Sequence, residues 1–299
     1  MEYIITQETA GKSVKDFLRR DCNLSSSLLR KLKTIPHGIT LDGKQVTVRA
    51  VLEAGQTLCI KDEDLSSSEN ILPTEGFVDI VYEDDSLMII NKPFGMPVHP
   101  SAGHGDDTLA NILAGRFKKE GVPFVFRAVN RLDSNTGGLM CVAKNAHSAK
   151  VLSEKLNEKA IKRVYEAILV GTLKEKEGTI DAPIGMLEGS SLKRCVRPDG
   201  ERAITHYTVI EEKNGLTRAE IILETGRTHQ IRVHFSDLGC PVWGDFLYGT
   251  EKDFKGHALF SKKIEFLHPL TQKNICINVP VPELFDLLME KGKNTPDAV

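Results

Sequence analysis

The run Asn130-Arg131-Leu132-Asp133-Ser134-Asn135-Thr136-Gly137-Gly138-Leu139 sets one carboxylate between a cation and a turn of small residues. The apolar segment Leu139-Met140-Cys141-Val142-Ala143 follows and reads as a buried strand. A loop held against a core, with an acid and a base at its tip, is a common way to display a nucleophile. A surface Arg and Asp flanking a turn is the plainer reading of the run taken alone. Two further segments place polar groups at element ends. Lys162-Arg163-Val164-Tyr165 brings a tyrosine onto a strand, and Gly226-Arg227-Thr228-His229-Gln230-Ile231-Arg232-Val233-His234 ends a strand in a glycine turn and opens a helix. His229 and His234 do not suggest a metal, because their i, i+5 spacing does not put both on one helix face. Gly103-His104-Gly105 lacks the third glycine or lysine of a nucleotide-binding loop.

These residues need elements to hold them. Residues 77–290 alternate strand, helix and hairpin signals. Ile80 to Ile90 reads as two strands about an acidic turn, followed by the proline-rich loop Asn91-Lys92-Pro93-Phe94-Gly95-Met96-Pro97-Val98-His99-Pro100. Ala146 to Ala160 reads as a helix with Ala149, Leu152 and Leu156 inward, and Arg163 to Val170 as a strand. Thr205–Glu212 and Leu216–Thr225 pair across Asn214-Gly215, the strongest hairpin signal in the chain. Thr228 is the expected N-cap of a helix from His229 to Leu238, with Ile231, Phe235 and Leu238 inward and Gly239 as its stop. The hairpins predict an α+β fold with a mixed, mainly antiparallel sheet flanked by helices.

Residues 1–62 read as a separate small module. Ser13 caps a helix with Val14, Phe17 and Leu18 inward, and Ser25 or Ser26 caps a second carrying Leu28, Leu29 and Leu32. Short strands follow at Gly38–Leu41, Gln45–Val48 and Gln56–Ile60, the first two turning at Asp42-Gly43. Residues 63–76, acidic and rich in serine, read as a linker with few contacts. Residues 291–299 read as a flexible tail.

The chain has 299 residues, 40% hydrophobic and 27% charged, with a net charge of −2. That balance argues against a strongly basic nucleic-acid binder, yet it hides a local excess. Lys12, Lys15, Arg19, Arg20, Arg30, Lys31 and Lys33 face only Asp16 and Asp21, a local charge of +5. Such a patch suits a phosphate backbone, and equally a solvated helix face. No apolar run approaches the roughly 20 residues of a membrane span, and the N-terminus lacks the layout of a signal peptide. The six cysteines form no C-x-x-C pair, so neither zinc nor a disulfide framework is indicated, and a reducing cytoplasm is expected.

The three polar segments together resemble the RluA-type pseudouridine synthases. The Asp133 run is similar to the family's H-R-L-D-x-x-T-S-G-L signature, Arg163–Tyr165 to its second motif, and Gly226–His234 to its third, closed by Gly244-Asp245. Glu83-Asp84-Asp85 and Asn91-Lys92-Pro93 with Gly95 and Pro97 are similar to the first. Asn130 stands where the family usually has His, and Gly138 is taken as the place where it usually has Ser. Residues 12–61 resemble the alpha-L RNA-binding module first known from a small-subunit ribosomal protein.

The resemblance implies a cofactor-free and metal-free isomerase that converts uridines in structured RNA to pseudouridine. By resemblance Asp133, Tyr165 and Arg232 are catalytic: Asp133 starts the reaction, Arg232 keeps it ionised, and Tyr165 stacks on the uracil and relays a proton. Arg131, Arg163, Arg227, His229, Gln230 and Lys92 bind substrate, with Arg131 filling the gap left by the flipped base. His99 and His104 read as surface or RNA-contacting residues. The expected partner is RNA, ribosomal RNA of the large subunit ahead of transfer RNA, with a cytoplasmic monomer and no membrane. The alternatives are an inactive RNA-binding protein of the same fold and an N-glycosidic hydrolase, which needs a second carboxylate that no comparable motif supplies.

Overall fold

The computed structural model describes residues 1–22, 24, 26–61, 67–68, 70–249 and 256–292. Its strands are β1 (Glu2–Ile4), β2 (Ile39–Leu41), β3 (Lys44–Gln45), β4 (Thr57–Ile60), β5 (Asp79–Glu83), β6 (Leu87–Lys92), β7 (Gly137–Ala143), β8 (Lys162–Val170), β9 (Glu177–Asp181), β10 (Ile184–Met186), β11 (Arg194–Val196), β12 (Ile204–Lys213), β13 (Leu216–Leu223), β14 (Leu259–Leu267) and β15 (Asn274–Asn278). The helices are α1 (Val14–Asp16), α2 (Ser26–Leu32), α3 (Leu109–Lys119), α4 (Ala146–Asn157), α5 (Gln230–Asp237) and α6 (Leu284–Lys291).

A nine-stranded sheet runs β5-β6-β7-β14-β8-β13-β12-β9, with β15 on β14. Every pairing is antiparallel except β7 with β14, so the expected mixed, mainly antiparallel sheet is what forms. The β12–β13 hairpin turns at Asn214 and Gly215, whose φ values of 54° and 73° are those a tight hairpin turn requires. β7 is buried at every position because it lies inside the sheet with both faces covered. One apolar cluster lies under α3 and α5, with Leu113, Phe117 and Phe235, and the other under α4 and α6, with Leu152, Phe285 and Leu288.

The structure departs from the sequence in instructive places. α3, which periodicity passed over, has a capping box between Thr108 and Asn111. Its inward Gly115 breaks the apolar stripe because a Cβ there would lie 2.0 Å from the Thr74 carbonyl oxygen. The expected linker is not free of contacts in its described part. Thr74 N–H donates to Asn111 O at 3.0 Å, Asn111 Nδ2 donates to Leu72 O, and the Ser68 hydroxyl accepts from Phe126 N–H. Backbone and serine hydroxyls supply these contacts, so apolar content was the wrong gauge of attachment. The expected tail at 291–299 begins inside α6, and residues 293–299 lie outside the described residues, as does the candidate cap Ser25.

The N-terminal strands form their own sheet, β1-β4-β2-β3, over a cluster containing Val14, Leu18, Leu29, Leu32 and Leu58. Ser13 caps α1 by accepting from Asp16 N–H, and the helix then widens into a π turn over Phe17–Asp21. Of the basic residues, Lys15, Arg20, Arg30 and Lys33 are exposed. Lys12 pairs with Asp21 at 2.6 Å, Arg19 is exposed and donates to the Leu24 carbonyl, and Lys31 is half-buried on α2.

Candidate active site

Asp133 sits in the loop before β7. That loop is pinned where Val129 N–H donates to Cys141 O at 2.8 Å, Cys141 N–H donates to Asn130 Oδ1 at 2.9 Å, and Thr136 N–H donates to Asp133 O at 3.1 Å. Asn130 therefore serves the loop as a backbone clamp. The two glycines that follow are not equivalent. Gly138 has φ +103° and a Cβ there would lie 2.3 Å from Ser261 O, so no serine fits. The signature's serine, counted from Asp133, falls on Gly137, which corrects the assignment of the departure to Gly138.

Arg232 lies in the first turn of α5 and is 3% exposed. Its Nη1 donates to Asp133 Oδ2 at 2.8 Å, while Nε and Nη2 hold both oxygens of Asp245 at 2.7 and 2.9 Å. Burial opposes charge on Arg232, but the Asp245 hydrogen bonds and the charges of Asp133 and Asp245 outweigh it and raise its pKa. Burial likewise pushes Asp245 up, and the Arg232 hydrogen bonds and charge hold it below the usual carboxylate range. Asp245, missed as a partner, follows Gly244 and also accepts from Leu247 and Tyr248 N–H. Arg232 thus has a saturated side toward Asp245 and an open side toward Asp133. Among the described residues Asp133 Oδ1 has no partner.

Tyr165, on β8, is buried, and burial raises its pKa, so it is a neutral phenol with its hydroxyl beside Ser261 and Arg163. Tyr165, Arg163, Arg131 and Asp133 line one cleft of about 710 Å³, together with Arg227 and Arg202. Its mouth carries Lys159, which pairs with Glu224, and Arg227, which pairs with Glu201. Glu224 is a second carboxylate lining that cleft, outside any motif that marked it as such. Hydrogen bonds from Lys159 and His206 tie it and hold its pKa down.

Two residues expected to bind substrate are committed to internal hydrogen bonds. Lys92 is 1% exposed and donates to the carbonyls of Pro93, Met96 and Ser134 at 2.8–2.9 Å. Burial pushes its ammonium down to about 7 against the pull of Asp133. It ties the proline-rich loop to the Asp133 loop. Gln230 accepts from Thr225 Oγ1 and Arg227 N–H and donates to Ile204 O and Thr205 Oγ1, so its amide has no capacity left. The cap of α5 also differs: His229 occupies it at φ 59°, Thr228 lies outside, and Leu238 is 46% exposed rather than inward. His257, beyond the signature segments, meets the Thr136 hydroxyl at 2.8 Å behind the Asp133 loop. Among the described residues no group of His, Cys, Asp and Glu has the arrangement of a metal site. Among them, too, no helix is long and apolar enough to cross a membrane.

A family model for RNA pseudouridylate synthase matches residues 86–237. The "uncharacterized RNA pseudouridine synthase YjbO" of Bacillus subtilis is 38% identical over 275 residues, covering 92% of this chain and 97% of its own length. Ribosomal large subunit pseudouridine synthase D of Xanthomonas campestris pv. campestris is 39% identical over 266 residues, covering 83% and 79%. The solved structure of human RNA pseudouridylate synthase domain containing 1 superposes with a TM-score of 0.60 at 27% identity, over 71% of this chain and 86% of that one.

Proposed function

The chain belongs to the RNA pseudouridylate synthase family, whose members isomerise uridine to pseudouridine, and from that premise we propose that Asp133 is the group that starts the reaction. The observation that carries this reading is the one-sided hold on Asp133, which lines the cleft: Arg232 occupies Oδ2 at 2.8 Å, and among the described residues Oδ1 has no partner. Oδ1 either attacks the nucleotide or takes a proton from the ribose. Arg232, fixed by Asp245, holds the carboxylate in place without reorganising, which is the electrostatic preorganisation such a step needs. Tyr165 offers a flat face to the flipped base and a neutral hydroxyl as a donor. Arg131, Arg163 and Arg227 face the phosphates and the vacated stack, and surface ion pairs such as Arg227–Glu201 open at little cost for a phosphate.

The substrate we infer is structured RNA, with large-subunit ribosomal RNA ahead of transfer RNA, as the name of the Xanthomonas relative suggests. In this reading the exposed cations of residues 1–62 form an RNA-binding module in front of a catalytic body at 77–290, and a monomer works in the cytoplasm without cofactor. Tritium release from RNA labelled at uracil C5 tests the reaction. Wild-type protein releases tritium and leaves pseudouridine, and Asp133→Asn loses at least about 10⁴-fold. Release that survives this substitution overturns the role of Asp133, and free uracil among the products overturns isomerisation in favour of hydrolysis.

A further inference from the structure

His229 occupies a costly position. It has φ 59° at the start of α5, caps nothing with its side chain, and has a side chain only 11% exposed. A histidine tolerates the left-handed region better than most residues but gains nothing there by itself. Its ring is fixed from behind. Arg194 N–H, on β11, donates to the Tyr248 hydroxyl oxygen at 2.9 Å, and that hydroxyl lies 2.8 Å from His229 Nδ1. Burial raises the Tyr248 pKa, so the phenol keeps its proton. Among the described residues the one acceptor within reach of that proton is Nδ1. A hydrogen bond donated by Tyr248 to Nδ1 leaves the ring proton on Nε2, and Nε2 faces Asp133 Oδ2 at 3.9 Å, the same oxygen that Arg232 holds.

We propose that His229 is a positioning residue for the nucleophile, kept by Tyr248 as the Nε2–H tautomer so that it and Arg232 both engage Oδ2 and turn Oδ1 to the substrate. The inference rests on Asp133 being the reacting group, and it moves His229 from substrate contact to control of the carboxylate. Hydrogen bonds of this kind are commonly long before substrate binds and tighten in the complex. The groups around His229 are Asp133, Arg232, Asp245, Arg194, Tyr248 and His257. Burial, Arg232 and Arg194 disfavour a charged imidazole there, and Asp133 and Asp245 favour it, with a net lowering of its pKa. Tyr248 adds a donor that only a neutral Nδ1 can accept. The Tyr248 ring also lies 5.1 Å under the Arg232 guanidinium, so Tyr248→Phe keeps the packing and removes only the hydroxyl.

The test pairs spectroscopy with kinetics on the full chain. Histidine-selective ¹⁵N NMR at neutral pH, with the signal assigned by its absence in His229→Asn, is expected to show Nε2 protonated and Nδ1 as acceptor. Tyr248→Phe is expected to abolish that tautomer preference. It should lower kcat on RNA about 10-fold or more with KM unchanged, as a misplaced reacting group does. The acid limb of its kcat profile should move to higher pH, because Nδ1 is then free to take a proton. The double variant with His229→Asn should lack that moved limb. An Nδ1–H or charged ring in the wild type, a loss in KM alone, or an unmoved limb overturns the proposal. The NMR result is independent of catalysis, so failure here is distinct from failure of Asp133→Asn to inactivate.

Discussion

Two ionic clusters lie on this sheet, and each centres on a buried charge. On β8, Glu166 is held by Arg218 through one oxygen and by Lys262 through the other at 3.0 Å. Those cations are extended outward, Arg218 to Asp286 and Lys262 to Glu220. In the cleft the buried centre is Arg232, with Asp245 on one side and Asp133 on the other. The difference is saturation. Both Glu166 oxygens are occupied, and its cations have second partners at the surface. Asp133 has one oxygen occupied and, among the described residues, one without a partner, and its side chain is 28% exposed while that of Asp245 is 0%. The same pairing chemistry makes a rivet when both oxygens are held and a primed group when one is left over. Buried ion pairs are weak evidence for stability alone, so the unsaturated one is the functional candidate.

The comparison breaks most sharply at Arg232. Arg232→Met removes the hold on Asp133 and strands Asp245 without its cation. Activity should fall by about 10³-fold or more, and stability by about 3–5 kcal/mol, measured by tritium release and urea melts. Equal stability with lost activity would mean that Asp245 is not held as described. Glu166→Gln should cost stability alone, about 1–2 kcal/mol with kcat unchanged, because Arg218 and Lys262 keep their outer partners. A kcat loss there would erase the distinction between the clusters.

A further effect reads the site through pH. Burial, aided by Arg232, pushes His257 down to about 4, opposed by Asp245 and Asp133. Unfolded, it takes a proton near its ordinary value, so between about 6.5 and 4 the unfolded chain binds more protons than the folded one. The stability it contributes is present above about 6.5 and is lost as pH falls toward 4, by about 3 kcal/mol. His257→Asn should flatten that part of the stability profile. The buried His147 and His234 are also lowered, so the measured quantity is the difference between the two profiles.

The chain itself shows the Asp133 loop, the strands beside it, the Asn214-Gly215 hairpin and the basic N-terminal stretch. Each is local: a turn, a period or a charge count within about ten residues. The same reading put Lys92 and Gln230 among substrate contacts, because a polar residue in a signature segment gives no sign of which way it faces. It passed over α3, whose stripe is broken by a glycine needed for a neighbour, and missed His257 and Tyr248, which lie outside the signature segments.

Sequence by itself determined the residue types at the site and a sheet built of hairpins, because propensity, spacing and charge are properties of adjacent residues; the roles of Asp133 and Arg232 came from the resemblance. Tertiary structure alone decided the rest. It placed Asp245 against Arg232 across 13 positions and Arg232 against Asp133 across 99. It chose which oxygen of Asp133 is occupied, buried Lys92 among carbonyls, and turned His229 toward Asp133. Those outcomes depend on burial and on partners brought from distant segments, and both arise only when the sheet closes over its two cores.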